Sequence, residues 1–215
     1  MDADDAPLAE VDANLRDIER ANRWLGGLAP VVSALAPRCD VATILDVGCG
    51  AADVPRAVVE AARRCGRDVR AVCLDRSERL LALARARHAS NASMTFISGE
   101  AEALPFADGA FDAVTCTLAL HHLSPGEAVR VLTEMRRVAR RVALVADLRR
   151  SVFGYLGAWL LVRTFTRNRL TRYDAPLSVR RAYTCDEVLG LARAAGWPAP
   201  AVRRTPFFRL LLREG

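Results

Sequence analysis

The sequence predicts an α/β fold in which a mostly parallel sheet is covered by helices on both faces. Short apolar runs typical of buried parallel strands alternate with longer amphipathic stretches, and glycine and proline mark the boundaries between them. Apolar residues make up 52% of the chain but aromatic residues only 6%, which favours a helix-rich α/β protein over an all-β one. A chain of 215 residues can bury such a core as a single domain.

This predicted domain divides into four consecutive segments: an N-terminal helical segment (1–40), a central core (41–147), an inserted helical cap (148–183), and a C-terminal helix with closing strands (184–215). In the first segment, apolar residues at helical spacing predict an amphipathic helix from Leu8 to about Leu28. Pro30 and Pro37 are expected to break this run.

The core segment alternates strands and helices. Strands are predicted at 41–47, 69–74, 94–98, 111–117 and 142–147, and helices at 54–65, 77–88 and 125–137. Such alternation indicates βαβ units and therefore a parallel sheet. After the cap, Thr184 is expected to cap a helix at about 186–195, and two strands near Val202 and over 207–212 bring the sheet to about seven strands.

The most specific local pattern is a glycine turn after the first strand, Asp46-Val47-Gly48-Cys49-Gly50. Glycines here let the backbone turn sharply and approach a ligand, and the following helix presents free N–H groups. The carboxylate of Asp46 would repel a pyrophosphate but suits a ligand that carries an ammonium and a sulfonium.

A second carboxylate, Asp75, ends the next strand. An acid at this place, about 20 residues after the glycine turn, can accept hydrogen bonds from both hydroxyls of a ribose. The alternative is that Asp75 only caps the helix that begins near Ser77.

Together with three later motifs, these residues resemble the class I S-adenosylmethionine-dependent methyltransferases, in particular the ubiquinone and menaquinone biosynthesis group. The resemblance covers about residues 42–147 and includes Ser98–Phe106, Phe111–Val114 and Ala119–Leu123. It implies a Rossmann-like, doubly wound sheet, S-adenosylmethionine as cofactor, and S-adenosylhomocysteine as product.

The resemblance also implies roles for individual residues, the core being the cofactor-binding part. Asp46, Gly48 and Gly50 would hold the methionine end, Asp75 with its neighbour Arg76 the ribose, Glu100 with the N–H of Ala101 the adenine edge, and Thr117 and Leu118 the pocket floor. Two residues depart from the family pattern: Ala52 replaces the third glycine, and Glu100 replaces the usual aspartate.

A histidine pair, His121 and His122, follows the fourth strand. An imidazole there could take a proton from a hydroxyl nucleophile, since histidine titrates near neutrality. We expect His121 to be the catalytic base and His122 to contact the substrate. The alternative is that the pair only shapes the pocket.

The inserted segment combines aromatic residues with many arginines, which suits an aromatic or lipid-like acceptor that bears acidic groups. We expect substrate contacts from Tyr155, Trp159, Arg180 and Tyr183. Alternatively, the segment is an amphipathic helix that contacts a membrane surface or a partner. The N-terminal helix, in turn, could cover the cofactor as a lid or simply pack on the sheet.

The predicted function is methyl transfer to a small aromatic, polyketide-like or quinone-like molecule of the kind made in secondary metabolism. O-methylation is favoured, with C- or N-methylation as alternatives. An NAD-dependent dehydrogenase is a poor alternative, because its third glycine would fall at Asp53. A methyltransferase-like interaction module without activity is a further alternative.

The overall composition sets the remaining expectations. Arginine supplies all 31 basic residues, and the net charge of +6 alone does not argue for nucleic-acid binding. Six scattered cysteines and three histidines offer no metal-ligand spacing, so no metal is expected. The acidic start of the chain lacks the pattern of a secretory signal, and no apolar run is long enough for a membrane span. We expect a cytoplasmic monomer or homodimer, with peripheral membrane contact left open.

Overall fold

The structure is a computed structural model that describes residues 6–214, so the first part of the acidic N-terminal stretch lies outside the described residues. Its strands are β1 (Thr43–Val47), β2 (Arg70–Asp75), β3 (Met94–Ser98), β4 (Phe111–Thr117), β5 (Ala139–Leu148), β6 (Pro200–Thr205) and β7 (Arg209–Glu214). Its α-helices are α1 (Leu8–Trp24), α2 (Ala29–Leu35), α3 (Asp53–Arg64), α4 (Glu78–Arg87), α5 (Pro125–Val138), α6 (Val152–Phe165), α7 (Arg169–Arg181) and α8 (Cys185–Ala194). A short 3-10 helix spans Leu120–His122.

All seven strands form one sheet in the order β3-β2-β1-β4-β5-β7-β6. The first five strands are parallel, whereas β7 runs antiparallel to both β5 and β6. The predicted mostly parallel, seven-stranded α/β fold is therefore confirmed. Because the strand order reverses between β1 and β4, a crevice opens at their carboxyl ends, where ligands bind in such sheets.

Two apolar layers cover the faces of the sheet. On one face, α5 packs over β4 and β5 and α8 packs over β6 and β7, through residues such as Leu132, Met135 and Val188. On the other face, α2, α3 and α4 contribute Leu35, Val58 and Leu81, among others. These layers confirm the predicted helices on both faces and hold the strand ends in fixed positions.

Local sequence signals place several helix starts where they were predicted. Ser77 caps α4 by accepting a hydrogen bond from the N–H of Leu80. Thr184 caps α8 in a reciprocal arrangement with Glu187, and Ser124 caps α5 in the same way. Each side chain satisfies an N–H group that the first helical turn leaves free, which fixes the boundary.

The N-terminal segment differs from its prediction, because it forms two helices rather than one. The first ends at Trp24, and Gly26 then adopts a left-handed conformation with φ 68°. Pro30 lies in the first turn of α2, where its missing N–H costs nothing, so it helps to begin a helix instead of breaking one.

Two helices, α6 and α7, make up the inserted segment and pack against each other. The second of them also contacts α1 and therefore joins the N-terminal segment to the cap. Within residues 6–214, no helix is both long and apolar enough to traverse a bilayer.

Candidate active site

A cavity of about 900 Å³ lies at the carboxyl ends of the central strands. Its floor and walls come from the ends of β1, β2 and β4 and from the loop after β3, and its roof comes from α1 and α7. All nine residues predicted to bind the cofactor line this one cavity: Asp46, Gly48, Gly50, Asp75, Arg76, Glu100, Ala101, Thr117 and Leu118. The fold thus brings together residues that the sequence spreads over more than seventy positions.

The glycine turn brings the backbone close to the cavity. Gly48 has φ 70°, and a Cβ atom there would lie 2.8 Å from the Cβ of Ala119, so only glycine fits. Gly50 has φ 51° and faces open space, which leaves room for a ligand beside its backbone. Ala52 has φ 56° and is fully buried, so the residue that replaces the third glycine keeps a left-handed conformation. That conformation costs a non-glycine residue about 1–2 kcal/mol.

The carboxylate of Asp46 is buried below this turn. It accepts a hydrogen bond of 2.6 Å from the hydroxyl of Thr115. Burial raises the pKa of Asp46 to about 7, and the negative charges of Asp53 and Asp75 act in the same direction. The hydrogen bond from Thr115 opposes this shift. A cationic ligand group beside Asp46 would relieve this unfavourable burial.

Asp75 accepts two backbone hydrogen bonds, one from the N–H of Gly50 (2.9 Å) and one from the N–H of Ser77 (3.0 Å). The side chain therefore braces the glycine turn and the start of α4 while it also lines the cavity. Its two oxygens offer more acceptor sites than the two N–H groups occupy, so Asp75 can brace the start of α4 and still accept a further hydrogen bond.

Among the remaining lining residues, Thr117 and Glu100 offer polar groups to an incoming ligand. The hydroxyl of Thr117 is buried and has no hydrogen-bond partner among the described residues. The next residue, Leu118, adopts φ 55°, which turns the chain out of β4 along the cavity floor. Glu100 is exposed at the rim, where its carboxylate remains accessible.

The histidine pair divides into a buried and a cavity-facing member. His121 is buried, its Nδ1 atom lies 2.7 Å from Oδ1 of Asp147, and its backbone N–H donates to Oδ2 of the same carboxylate at 3.1 Å. It does not line the cavity, so the structure does not support the expected role of His121 as the base. His122 does line the cavity, and its ring centroid lies 4.1 Å from that of His121.

The surroundings of His122 keep its imidazole neutral. Partial burial lowers the pKa of His122 to about 4, and the neighbouring ring of His121 and the cations Arg181 and Arg76 act in the same direction. The negative charge of Asp147 opposes them. Although part of the ring is exposed to solvent, His122 therefore has a free nitrogen lone pair at neutral pH.

Comparison with known proteins assigns the domain that holds this cavity. Residues 44–141 match the family model described as "Methyltransferase domain". This part of the chain is therefore similar to methyltransferase domains, as the sequence motifs predicted for the class I, S-adenosylmethionine-dependent type. The fold of the chain resembles the crystal structure of a SAM-dependent methyltransferase from Aquifex aeolicus, with a TM-score of 0.68 and 17% identity over 97% of each chain.

Curated relatives of the methyltransferase domain match over part of their length. A demethylmenaquinone methyltransferase from Renibacterium salmoninarum is 31% identical over 153 residues, which are 70% of this chain and 58% of the relative. A 2-phytyl-1,4-naphtoquinone methyltransferase from Synechocystis sp. is 35% identical over 108 residues, 49% of this chain and 43% of the relative. The chain spans about half the length of the curated relatives that it matches.

The roof of the cavity differs from the predicted acceptor site. Tyr155, Trp159, Arg180 and Tyr183 are absent from the cavity lining. The hydroxyl of Tyr183 instead donates to the backbone oxygen of Leu123 at 2.7 Å, which holds the loop after His122. Trp159 lies under the guanidinium of Arg163 on the outer side of α6, and Arg180 is exposed.

The side chains that do form the roof were missed by the sequence analysis. On α7 they are Thr171, Asp174, Ala175 and Ser178, and on α1 they are Val11, Asn14, Leu15, Ile18 and Asn22. The α7 set has the i, i+3, i+4, i+7 spacing of one helical face, and this run of small and polar residues was the available signal. Partial burial raises the pKa of Asp174 on this face.

Polar contacts fasten the two roof helices to each other. The amide of Asn14 donates to the hydroxyl of Thr171 at 3.1 Å, and Asp17 accepts hydrogen bonds from Thr166 (2.5 Å) and Thr171 (2.9 Å). In α1, the apolar stripe faces the cavity, while Arg16, Arg20, Arg23 and Trp24 are exposed. The α1 helix therefore covers the cavity, which agrees with the expectation that the N-terminal helix could act as a lid.

Proposed function

We propose that this chain transfers the methyl group of S-adenosylmethionine to a small molecule with a quinone-type aromatic ring, at a ring carbon. One observation carries the proposal: the complete set of predicted cofactor residues and a neutral imidazole, His122, line the same cavity. The quinone methyltransferases among the relatives support the ring type. Two further relatives, named as ubiquinone/menaquinone biosynthesis C-methyltransferases, support the methylated carbon.

The cofactor end of the cavity fits S-adenosylmethionine in charge and shape. The buried carboxylate of Asp46 would bind the ammonium, and the open space at Gly50 admits the methionine part beside the backbone. Asp75 has acceptor capacity for the ribose hydroxyls, and Glu100 with the N–H of Ala101 would meet the adenine edge. When bound, the cofactor supplies a methyl group activated by its positively charged sulfur.

At the acceptor end, His122 would accept the proton of a ring hydroxyl. The proton moves to the imidazole nitrogen, and the electron pair that remains on oxygen spreads into the ring and makes the neighbouring carbon nucleophilic. Once that carbon has gained the methyl group, it would lose its own hydrogen to solvent as a proton, and the oxygen would regain a proton from the imidazole, which restores the aromatic quinol. The roof residues of α1 and α7 position the ring and exclude water, which supplies much of the acceleration in a direct displacement.

O-methylation is the second candidate, and the same geometry favours it. Removal of the proton by His122 leaves a phenolate oxygen that can itself attack the methyl group. In either case we propose a cytoplasmic enzyme, monomeric or homodimeric, that acts on a small molecule from secondary metabolism or quinone synthesis and not on nucleic acid.

The decisive experiment incubates the full chain with S-adenosylmethionine that carries a ¹³C-labelled methyl group and with reduced 1,4-naphthoquinone, which has no lipid tail. NMR of the product separates a carbon-bound from an oxygen-bound methyl group. A parallel calorimetric titration with S-adenosylhomocysteine should show binding that Asp75→Ala weakens by about 1–3 kcal/mol. Absence of binding in wild type would contradict the enzyme proposal, whereas a methoxy product would select the second candidate.

A further inference from the structure

We propose that the outward face of α6 docks on the surface of an anionic lipid bilayer. This face, defined by Val152, Phe153, Leu156 and Leu160, is apolar although it points to solvent. The docking itself is independent of the proposed function. Only its consequence for a lipid-tailed acceptor rests on that proposal.

The outward face carries large apolar side chains with high exposure. The exposed fractions are 73% for Val152, 75% for Phe153, 54% for Leu156 and 61% for Leu160. These positions fall on one side of the helix, while Gly154 and Val162 on the opposite side are buried. A helix with this arrangement leaves its apolar stripe without a partner inside the molecule.

Neighbouring elements extend the apolar face. The ring of Phe208 packs directly on the backbone of Gly154, where an added Cβ would lie 3.0 Å from its Cγ atom. Phe207 in the same turn is 56% exposed and approaches Gly26, which follows the exposed Trp24 at the end of α1. The face therefore continues from α6 across the β6–β7 turn to the end of α1.

The border of this face is strongly cationic. Between residues 149 and 173 the chain has six arginines and no aspartate or glutamate. Arg150 and Arg169 form ion pairs with Glu187 and Glu10. For Arg163, Arg167 and Arg172, no carboxylate among residues 6–214 lies within 4.0 Å.

The charge pattern favours a lipid surface over a second copy of the chain. Two copies that met through this face would bring their arginine borders together, and like charges in contact disfavour association. An anionic bilayer instead offers phosphate groups to the arginines and an apolar layer to Phe153 and Leu156. Arg163, stacked 4.1 Å from the ring of Trp159, provides the mixed aromatic and cationic contact that suits the interface of a membrane.

The position of α6 links this surface to the cavity. It packs on α7, whose Thr171, Asp174, Ala175 and Ser178 form the roof. Docking through α6 would therefore hold the cavity roof close to the bilayer. If the acceptor has a lipid tail, as the proposed function allows, its ring needs to travel only the thickness of this helical layer.

The test is vesicle flotation with the full chain at low salt. Vesicles of phosphatidylcholine and phosphatidylglycerol in a two-to-one ratio should carry wild-type protein, and pure phosphatidylcholine vesicles should carry at least about tenfold less. Leu156→Asp and Arg163→Glu should each reduce binding to the anionic vesicles by about tenfold or more.

Two matched variants control for general effects. Leu8→Asp alters a side chain with the same 54% exposure on α1, and Arg64→Glu makes the same charge change at the exposed end of α3. Both should bind like wild type. The proposal would be overturned if wild type did not float with anionic vesicles, or if the control variants lost as much binding as the test variants. It would also be overturned if light scattering showed a dimer that depends on Leu156 while no vesicle binding occurred.

Methylation of the tail-free naphthoquinol separates this inference from the proposed function. That assay needs no membrane, so Leu156→Asp should retain wild-type turnover in it. Methylation without vesicle binding would contradict the docking proposal and leave the proposed function intact. Vesicle binding without methylation of any quinol would contradict the proposed function and leave the docking proposal intact.

Discussion

The Nδ1 atom of His121 lies 2.7 Å from Oδ1 of Asp147, and both side chains are buried. Burial would raise the pKa of Asp147, but the charge and hydrogen bond of His121 and the N–H groups of Leu148 and His121 hold it below 3.8. This pair anchors the 3-10 helix that presents His122 to the cavity.

Asp147→Asn should therefore destabilise the fold by about 1–3 kcal/mol at neutral pH. Because the pKa of Asp147 is lower in the folded state, its contribution is present above the ordinary value of 3.8 and is lost as the pH falls through the folded value. Urea unfolding should thus show a difference at about pH 7 that shrinks near pH 3. Asp108→Asn, at an exposed carboxylate paired with Arg137, should change stability by less than about 0.5 kcal/mol.

Replacing His122 tests the proposed base. His122→Gln should lower turnover by about 10²- to 10⁴-fold. The dissociation constant for S-adenosylhomocysteine should stay within about twofold. Since the pKa of His122 is about 4, kcat/KM of wild type should show no acid limb from this group near pH 6.5. An acid limb at that pH that disappears in the variant would show that His122 titrates normally.

We expect the buried carboxylate of Asp46 to lower the stability of the fold and to favour cofactor binding. Its pKa of about 7 lies above the ordinary 3.8, so its favourable contribution is complete below 3.8 and is lost as the pH rises to 7. At about pH 8 the ligand-free Asp46→Asn variant should therefore be more stable than wild type by about 1–3 kcal/mol, measured by thermal unfolding. Binding of S-adenosylhomocysteine should fall by at least about tenfold in calorimetry. Asp68→Asn, at an exposed carboxylate, should change neither quantity.

The grouping of the expected cofactor residues around one cavity could be predicted because their signals are local. Asp46 and Asp75 each lie at the carboxyl end of a strand, and parallel strands carry these ends to the same edge of a sheet. The assignment within the histidine pair could not be made this way. It depends on Asp147, which is 26 positions away and holds only one of the two rings.

The side chains expected to contact the acceptor do not line the cavity, for a related reason. A helical pattern over residues 151–183 could not show which of two helices lies against the cavity, since that depends on packing between α7 and α1. The aromatic residues that suggested a substrate wall lie mainly on the outer helix. The small residues of α7, whose side chains give little indication of chemistry, form part of the cavity roof instead.

Ala52 offers a test of backbone strain in the glycine turn. In Ala52→Gly, relief of about 1–2 kcal/mol of left-handed strain offsets the loss of a buried methyl group, so stability should change by less than about 1 kcal/mol. Ala62→Gly, at a fully buried position without positive φ in the following helix α3, should cost about 1–2 kcal/mol. Equal losses in urea unfolding would mean that Ala52 is not strained.

The roof of the cavity should control the acceptor. Ala175→Leu adds three carbon atoms to the face of α7 that lines the cavity and should lower kcat/KM for the acceptor at least several-fold. Tyr155→Phe and Arg180→Ala, whose side chains lie outside the cavity, should retain near wild-type kinetics. If Ala175→Leu instead weakens S-adenosylhomocysteine by more than about tenfold, α7 covers the cofactor and not the acceptor.

The contacts between α1 and α7 also constrain the order in which the molecule takes shape. Asn14 and Thr171 are separated by 157 positions in the chain, and Asp17 and Thr166 by 149. During synthesis from the N-terminus, α1 leaves the ribosome long before the residues that hold it exist. The five parallel strands can pair while the future site is still uncovered, and its enclosure must wait until residues 166–171 have been synthesised.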